Sequence, residues 1–291
     1  MSLPEFEYIG VATIGDACRH LAKHKTDAKV LAGGTDLLVK MKDEVCDPKF
    51  VIGLKGIKGL DKVVYDKAEG LRIGALATHK DVIESGVVQK RYASLAEALG
   101  MIGTVQVRNL ATVAGNLCNA APSADSAPML IALGAKVKLA GLSGEREVAL
   151  EKFFEGPGKT ALKGDEIVTE IIVPNDKLHS GGKYEKLFAR TSVDLACVGS
   201  ACWVVIDPKT KVIKDIKIVL GAVAPIPMRA EKSERVLKGK VATDALIKEA
   251  GEVASQEAKP ITDIRASKEY RTAMVKVMTR RAIKGALERA A

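Results

Sequence analysis

Two stretches of small residues have the types and spacing that could hold a charged ligand. In the first, Leu31, Ala32, Gly33, Gly34, Thr35, Asp36 and Leu37 stand at the end of an apolar run, residues 28–32, that reads as a buried strand. Paired glycines let backbone N–H groups converge on an anion with no Cβ in the way, and the threonine hydroxyl adds a donor. A diphosphate needs that arrangement, although an ordinary strand-to-helix turn uses the same residues. In the second, Thr112, Val113, Ala114, Gly115 and Asn116 are followed by Ala121, Pro122, Ser123, Ala124 and Asp125. Hydroxyls and small side chains gather again. The acid nine residues beyond Asn116 could accept hydrogen bonds from ribose or ribitol hydroxyls. A Gly/Ala-rich loop packed on a sheet is the plainer alternative.

Other chemistry is harder to find. No GxSxG nucleophile elbow occurs, and no GxGxxG follows a strand. Gly158-Lys159-Thr160 imitates the end of a P-loop, but the required glycine five residues earlier is Phe153. Cys18, Cys46, Cys118, Cys197 and Cys202 form no CxxC pair, which argues against a zinc ribbon, a dithiol redox site or an iron–sulfur cluster in this chain. They read as reduced structural thiols of a cytoplasmic protein. His20 and His24 share a helix face without a third ligand and read as surface residues.

The elements that must position the two stretches can be read from hydrophobic period. Residues 14–24 and 93–101 read as helices, and 50–54 as a strand. Residues 63–65 and 71–74 read as a hairpin around Glu69-Gly70. Residues 103–128 are dense in Gly, Ala, Pro and Ser, which suits a backbone that must approach something closely. Strands follow at 136–139 and 167–173, and Pro174-Asn175 opens a candidate domain boundary over 174–182. Beyond it, 197–206 and 213–220 read as strands, and 243–254 and 267–290 as helices. Grouping of strands and helices favours α+β over a doubly wound sheet.

Composition narrows the function classes. Hydrophobic residues make up 47% of the 291, enough for a globular core. No run of 18 apolar residues exists, so no transmembrane helix is expected, and residues 1–7 lack the pattern of a secretory signal. The net charge of +9 is uneven: residues 1–176 hold 22 basic and 23 acidic side chains, and 177–291 hold 23 and 13. The excess is scattered lysine, as on a solvated face, and aromatic residues total 4%, few for stacking on bases. No nucleic-acid partner is expected.

Taken together, AGGTDLL and RNLATVAGNLCNAAPSADSAP resemble the two FAD-binding signatures of the flavoprotein (medium) subunit of molybdenum hydroxylases. This is the group of carbon monoxide dehydrogenase, xanthine dehydrogenase and aldehyde oxidoreductase. Further landmarks follow in the family's order: Phe153-Phe154 through Thr160, Asp165 to Val168, Tyr184-Glu185-Lys186 through Ala196, and Ser267 through Ala282. The resemblance implies a two-subdomain FAD-binding domain of the vanillyl-alcohol-oxidase type over 1–176, divided near 57. A small α+β C-terminal domain over 177–291 would follow it.

It also implies roles. Residues 31–37 and Thr112, Ala114, Gly115 and Asn116 would hold the FAD diphosphate, with Ser123 beside them. Asp125 would bind an FAD hydroxyl, Val168 would pack on the adenine side, and Lys186 would sit near the flavin ring. Ala114 stands where many relatives have glycine, and Met101-Ile102 where some have an aromatic. The implied function is electron transfer. A large subunit carries the molybdenum cofactor, a small subunit carries two 2Fe–2S clusters, and FAD here passes electrons to an external acceptor. The assembly would be a dimer of heterotrimers, with one partner surface near residues 116–125. No cysteine-rich insert for a 4Fe–4S cluster is present. Two rival readings are a stand-alone FAD oxidase of a small alcohol, which would need its own acid or base over the flavin, and a basic nucleic-acid-binding module.

Overall fold

The first glycine turn leaves residues 28–31, an edge strand of a small parallel sheet in which only Ala28 is buried, where a buried strand was expected. The computed structural model describes residues 2–191 and 193–291. The sheet is built from β1 (Glu7–Gly10), β2 (Ala28–Leu31) and β3 (Phe50–Gly53), with β3 between the other two. Helices α1 (Ile14–His24) and α2 (Leu37–Lys42) connect the strands. α1 starts where the Thr13 side chain accepts the Asp16 amide, and it buries Ala17, Cys18 and Leu21 against Ile52 of β3. Parallel pairing here is a local departure from the segregated pattern. It arises because each strand is followed by a helical crossover.

The second unit is an antiparallel sheet with helices on one side. β4 (Val63–Asp66) and β5 (Gly70–Gly74) form the expected hairpin. Six helices follow: α3 (His79–Glu84), α4 (Gly86–Arg91), α5 (Ala93–Gly100), α6 (Val105–Leu110), α7 (Val113–Asn119) and α8 (Ser126–Ala132). The chain returns through β6 (Lys136–Gly141), β7 (Gly144–Ala149), β8 (Phe154–Gly156), β9 (Lys159–Thr160) and β10 (Ile167–Val173). The order β4-β5-β10-β6-β7 places the last strand in the middle of the sheet. In that position β10 buries Ile167, Val168, Thr169, Ile171 and Val173, while Glu170 and Ile172 stay half-buried. Its near-continuous apolar composition reflects that position.

The third unit is a meander of β11 (Ser180–Leu187), β12 (Val198–Ile206), β13 (Ile213–Gly221) and β14 (Met228–Arg229). Helices α9 (Glu231–Leu237), α10 (Asp244–Glu257) and α11 (Lys268–Ala290) complete it. Every residue of β12 is buried. Period two explains this. Ala201, Trp203 and Val205 join the core shared with α5 and α8, while Cys202, Val204 and Ile206 join the core under α10 and α11. The third unit is therefore packed against the second across one face of its sheet. The α+β expectation holds. Among the described residues no helix is long and apolar enough to cross a membrane.

Candidate functional site

The two small-residue stretches face each other across a cleft of about 520 Å³. Residues 32–37 line one wall, and Thr112, Ala114, Gly115 and Asn116 line the other. Val168 of β10 closes an end together with Leu54, Ala75 and Ile167. The glycines are there for contact and conformation. A Cβ on Gly33 would lie 2.1 Å from the Leu110 carbonyl oxygen, so only glycine lets the first turn touch the chain ahead of the second. Gly34 has φ +77°, the left-handed region that turns the strand into α2.

The first turn also leaves donors open. Among the described residues, the amides of residues 33–36 donate to no protein acceptor. Partly buried amides of this kind call for an anion or water. The second stretch is more self-contained. Thr112 caps α7, its Oγ1 accepting the Gly115 amide at 2.9 Å, and Asn116 Oδ1 accepts the Ser126 hydroxyl at 2.5 Å. A Cβ on Gly115 would come within 2.8 Å of that Thr112 oxygen. The Gly115 amide therefore already has an acceptor in the cap.

Several cleft residues were not among the expected cofactor contacts: Lys29, Lys40, Cys46, Asn119, Gly158 and Glu166, although Asn119, Gly158 and Glu166 fall within the quoted motifs and landmarks. Asn119 could have been sought as the last residue of the motif helix; Lys40 lies one turn beyond Asp36. The Asn119 Nδ2 donates to Asp36 Oδ1 at 2.9 Å, and Lys40 Nζ donates to Asn119 Oδ1 at 2.6 Å. Burial pushes the Asp36 carboxyl up, against the pull of Lys40. Gly158, at φ +69°, donates its amide to the Ala120 carbonyl and brings the β8–β9 turn to the cleft rim. Burial pushes the Cys118 thiol up to about 12, so it faces the cleft as a neutral group. All five cysteines are free thiols.

Four residues expected at the cofactor do not line this cleft: Leu31, Ser123, Asp125 and Lys186. Leu31 supports the turn from below, its Cδ1 3.0 Å from where a Gly34 Cβ would be. Asp125 and Lys186 instead meet each other. Lys186 Nζ donates to Asp125 Oδ2 at 2.8 Å and to the Met101 carbonyl at 2.9 Å, and the Tyr184 hydroxyl donates to Asp125 Oδ1 at 2.7 Å. Asp125 is 5% exposed and Lys186 9%. Burial pushes the Asp125 carboxyl up, while Lys186 and Tyr184 oppose it. Burial and the neighbouring Asp125 carboxylate keep the Tyr184 phenol protonated. These three side chains join the second and third units beside the Met101-Ile102 segment.

The cleft fits the expected cofactor on its own chemistry. It has open amides for a diphosphate, a glycine contact that no side chain could share, and apolar residues at one end for a base. Among the described residues no group of three or more His, Cys, Asp or Glu side chains could hold a metal ion.

Comparison with known proteins gives a consistent picture. Residues 4–176 match the family model described as the FAD binding domain in molybdopterin dehydrogenase. Residues 183–286 match that of the CO dehydrogenase flavoprotein C-terminal domain. The chain is 35% identical over 288 residues to the carbon monoxide dehydrogenase medium chain of Hydrogenophaga pseudoflava, with 99% of each covered. It is 31% identical over 281 residues to the xanthine dehydrogenase FAD-binding subunit of Escherichia coli, covering 96% of this chain and 95% of that one. The fold superposes on a chain of a solved carbon monoxide dehydrogenase from H. pseudoflava, one lacking the Mo-pyranopterin moiety of its cofactor. The TM-score is 0.96 at 35% identity, with both chains fully covered.

Proposed function

The chain belongs to the family of FAD-binding (medium) subunits of molybdenum hydroxylases, which are oxidoreductases, and from that we propose that it carries electrons between a partner's 2Fe–2S clusters and an external acceptor. The observation that supports this reading most is the row of open amides at residues 33–36, facing the second loop across the cleft. Bound FAD would supply the redox chemistry. The protein's part is binding and placement. Residues 32–37 would hold the diphosphate through their amides. Thr112, Ala114, Gly115 and Asn116 would form the opposite wall, and Val168 would pack on the adenine side.

The flavin end would then extend from the cleft toward the Asp125–Lys186 pair. Asn116 marks that direction, since it lines the cleft and is bonded to Ser126 beside Asp125. In this arrangement Lys186 brings a positive charge to the flavin, and Asp125 acts through Lys186. Ser123 would stand at the same end. We read residues 1–176, divided near 57, as the FAD domain and 177–291 as the C-terminal domain. The partners would be a large molybdenum-cofactor subunit and a small 2Fe–2S subunit, one of them seated near residues 116–125. A dimer of such heterotrimers in the cytoplasm is the assembly proposed.

The test uses the complex assembled with its partner chains. Its flavin content and the rate of electron delivery to an acceptor are measured before and after removal of FAD. Delivery should fall with flavin content and return on adding FAD, while cluster reduction by substrate persists. Delivery at an unchanged rate from flavin-free complex would overturn the proposal.

A further inference from the structure

Asp36 and Lys40 are four residues apart at the start of α2, a spacing at which acid and base ordinarily meet. Here they do not form an ion pair: the Asn119 amide of α7 stands between them. Its nitrogen donates to the carboxylate and its oxygen accepts from the ammonium, so both ends of the amide face a partner of matching chemistry. Among the described residues, both side-chain hydrogen bonds that join residues 31–42 to residues 112–120 go to Asn119.

This matters for the charge of the cleft. Its charged lining comprises Lys29 and Lys40 on one side of the balance, and Asp36 and Glu166 on the other. A diphosphate held by the amides of residues 33–36 would lie next to the Asp36 carboxylate, which repels it. Two features could offset that repulsion: a donor that occupies the carboxylate, and a cation fixed within reach. Asn119 provides the first directly and the second by holding Lys40.

We propose that Asn119 is a positioning residue for the diphosphate: it occupies the Asp36 carboxylate and aims Lys40 Nζ into the cleft, so that Lys40 is the cation that compensates the bound phosphates. This rests on the FAD reading above and adds two residues to it, neither in the glycine turns. The two act as one unit. Without Asn119, Lys40 is free to swing to Asp36, and the anion loses its cation and gains an exposed carboxylate together.

The test is titration calorimetry on the full chain freed of flavin, with FAD, ADP and adenosine as separate ligands. Wild type should bind FAD and ADP. Asn119→Ala and Lys40→Met should each lower affinity for FAD and ADP by about tenfold or more, the value of one charge-assisted hydrogen bond. Adenosine, which has no phosphate, should bind as before. The double variant should be little worse than either single one, because each removes the same unit. Asn119→Asp should bind more weakly than Asn119→Ala, since it sets a second carboxylate beside the first. Unfolding midpoints of the flavin-free variants identify a change of fold, and Lys40→Met, at a partly exposed site, keeps the test alive if Asn119 variants fold poorly. ADP affinity within twofold of wild type, additive losses, or an equal loss for adenosine would overturn the proposal. Failure of wild type to bind either FAD or ADP would instead overturn the FAD reading beneath it.

Discussion

Lys186 and Asp125 are 61 residues apart in the chain and meet in a buried ion pair of 2.8 Å that joins the third unit to the second. Each reads in the sequence as a separate contact to the cofactor. In the fold they are first of all partners of each other, with Tyr184 as a third member.

Removing one member of a buried pair leaves the other charge uncompensated, at a cost of about 3–5 kcal/mol. Asp125→Ala and Lys186→Met are each expected to destabilise the protein by that order. The double variant should lose less than the sum. Urea unfolding of the three variants checks this. Asp125→Ala should also weaken FAD binding more than Asp165→Ala, whose carboxylate accepts the Leu142 amide at the surface. Equal FAD affinities would separate the pair from the cofactor.

Gly34→Val tests the first turn. A valine there must adopt φ near +77°, at a strain of about 1–3 kcal/mol, and its Cβ would press on Leu31 and Leu38. That is a fraction of a typical folding free energy of about 5–15 kcal/mol. The variant should keep the wild-type circular dichroism while its flavin per chain after gel filtration falls below about a tenth. Full flavin content would place the cofactor elsewhere.

His79 makes stability fall in acid. Its imidazole is fully buried, neither ring nitrogen has a partner among the described residues, and burial, helped by Arg108, pushes its pKa down to about 4. The unfolded value is about 6.5. Because the folded value is the lower one, the stabilising effect is fully present above pH 6.5 and is lost as pH falls toward 4. Between pH 7 and pH 5 the loss is about 2 kcal/mol. His79→Leu should abolish that part of the pH dependence, read from urea midpoints at the two pH values. An unchanged slope would mean that His79 gains a partner in solution.

Arg271 ties the last helix to the sheet. Its side chain is 2% exposed, and its guanidinium donates to the carbonyls of Cys197 and Ala222 and to Asp263 at 2.7 Å, 3.1 Å and 2.7 Å. Arg271→Lys cannot reproduce this fork. A loss of about 3 kcal/mol or more is expected in thermal unfolding, with α11 loosened first, as amide exchange along 268–290 would show. A loss under about 1 kcal/mol would mean that water replaces the contacts.

How much was legible follows from the range of each interaction. Gly34 needs a left-handed φ, a condition on a few adjacent residues, so strand, turn and helix could be read in line; the burial of β2 could not, because its edge position leaves Lys29 exposed and Val30 and Leu31 half-buried. The hairpin at β4–β5 could also be read in line. The pairing of β10 between β5 and β6 could not be read this way, because alternation says that a strand is buried and does not say between which neighbours.

By itself, then, the sequence determined where the backbone turns at Gly34, part of the strands and helices but not the helices at 105–110, 113–119 and 126–132, and the order of landmarks that marks the family. The tertiary structure alone decided which polar side chains find one another. Asn119 between Asp36 and Lys40, and Lys186 on Asp125, depend on contacts over many tens of residues. In a low-dielectric interior a carboxylate is met by the donor that packing sets beside it, the Lys186 ammonium at Asp125 and the Asn119 amide at Asp36.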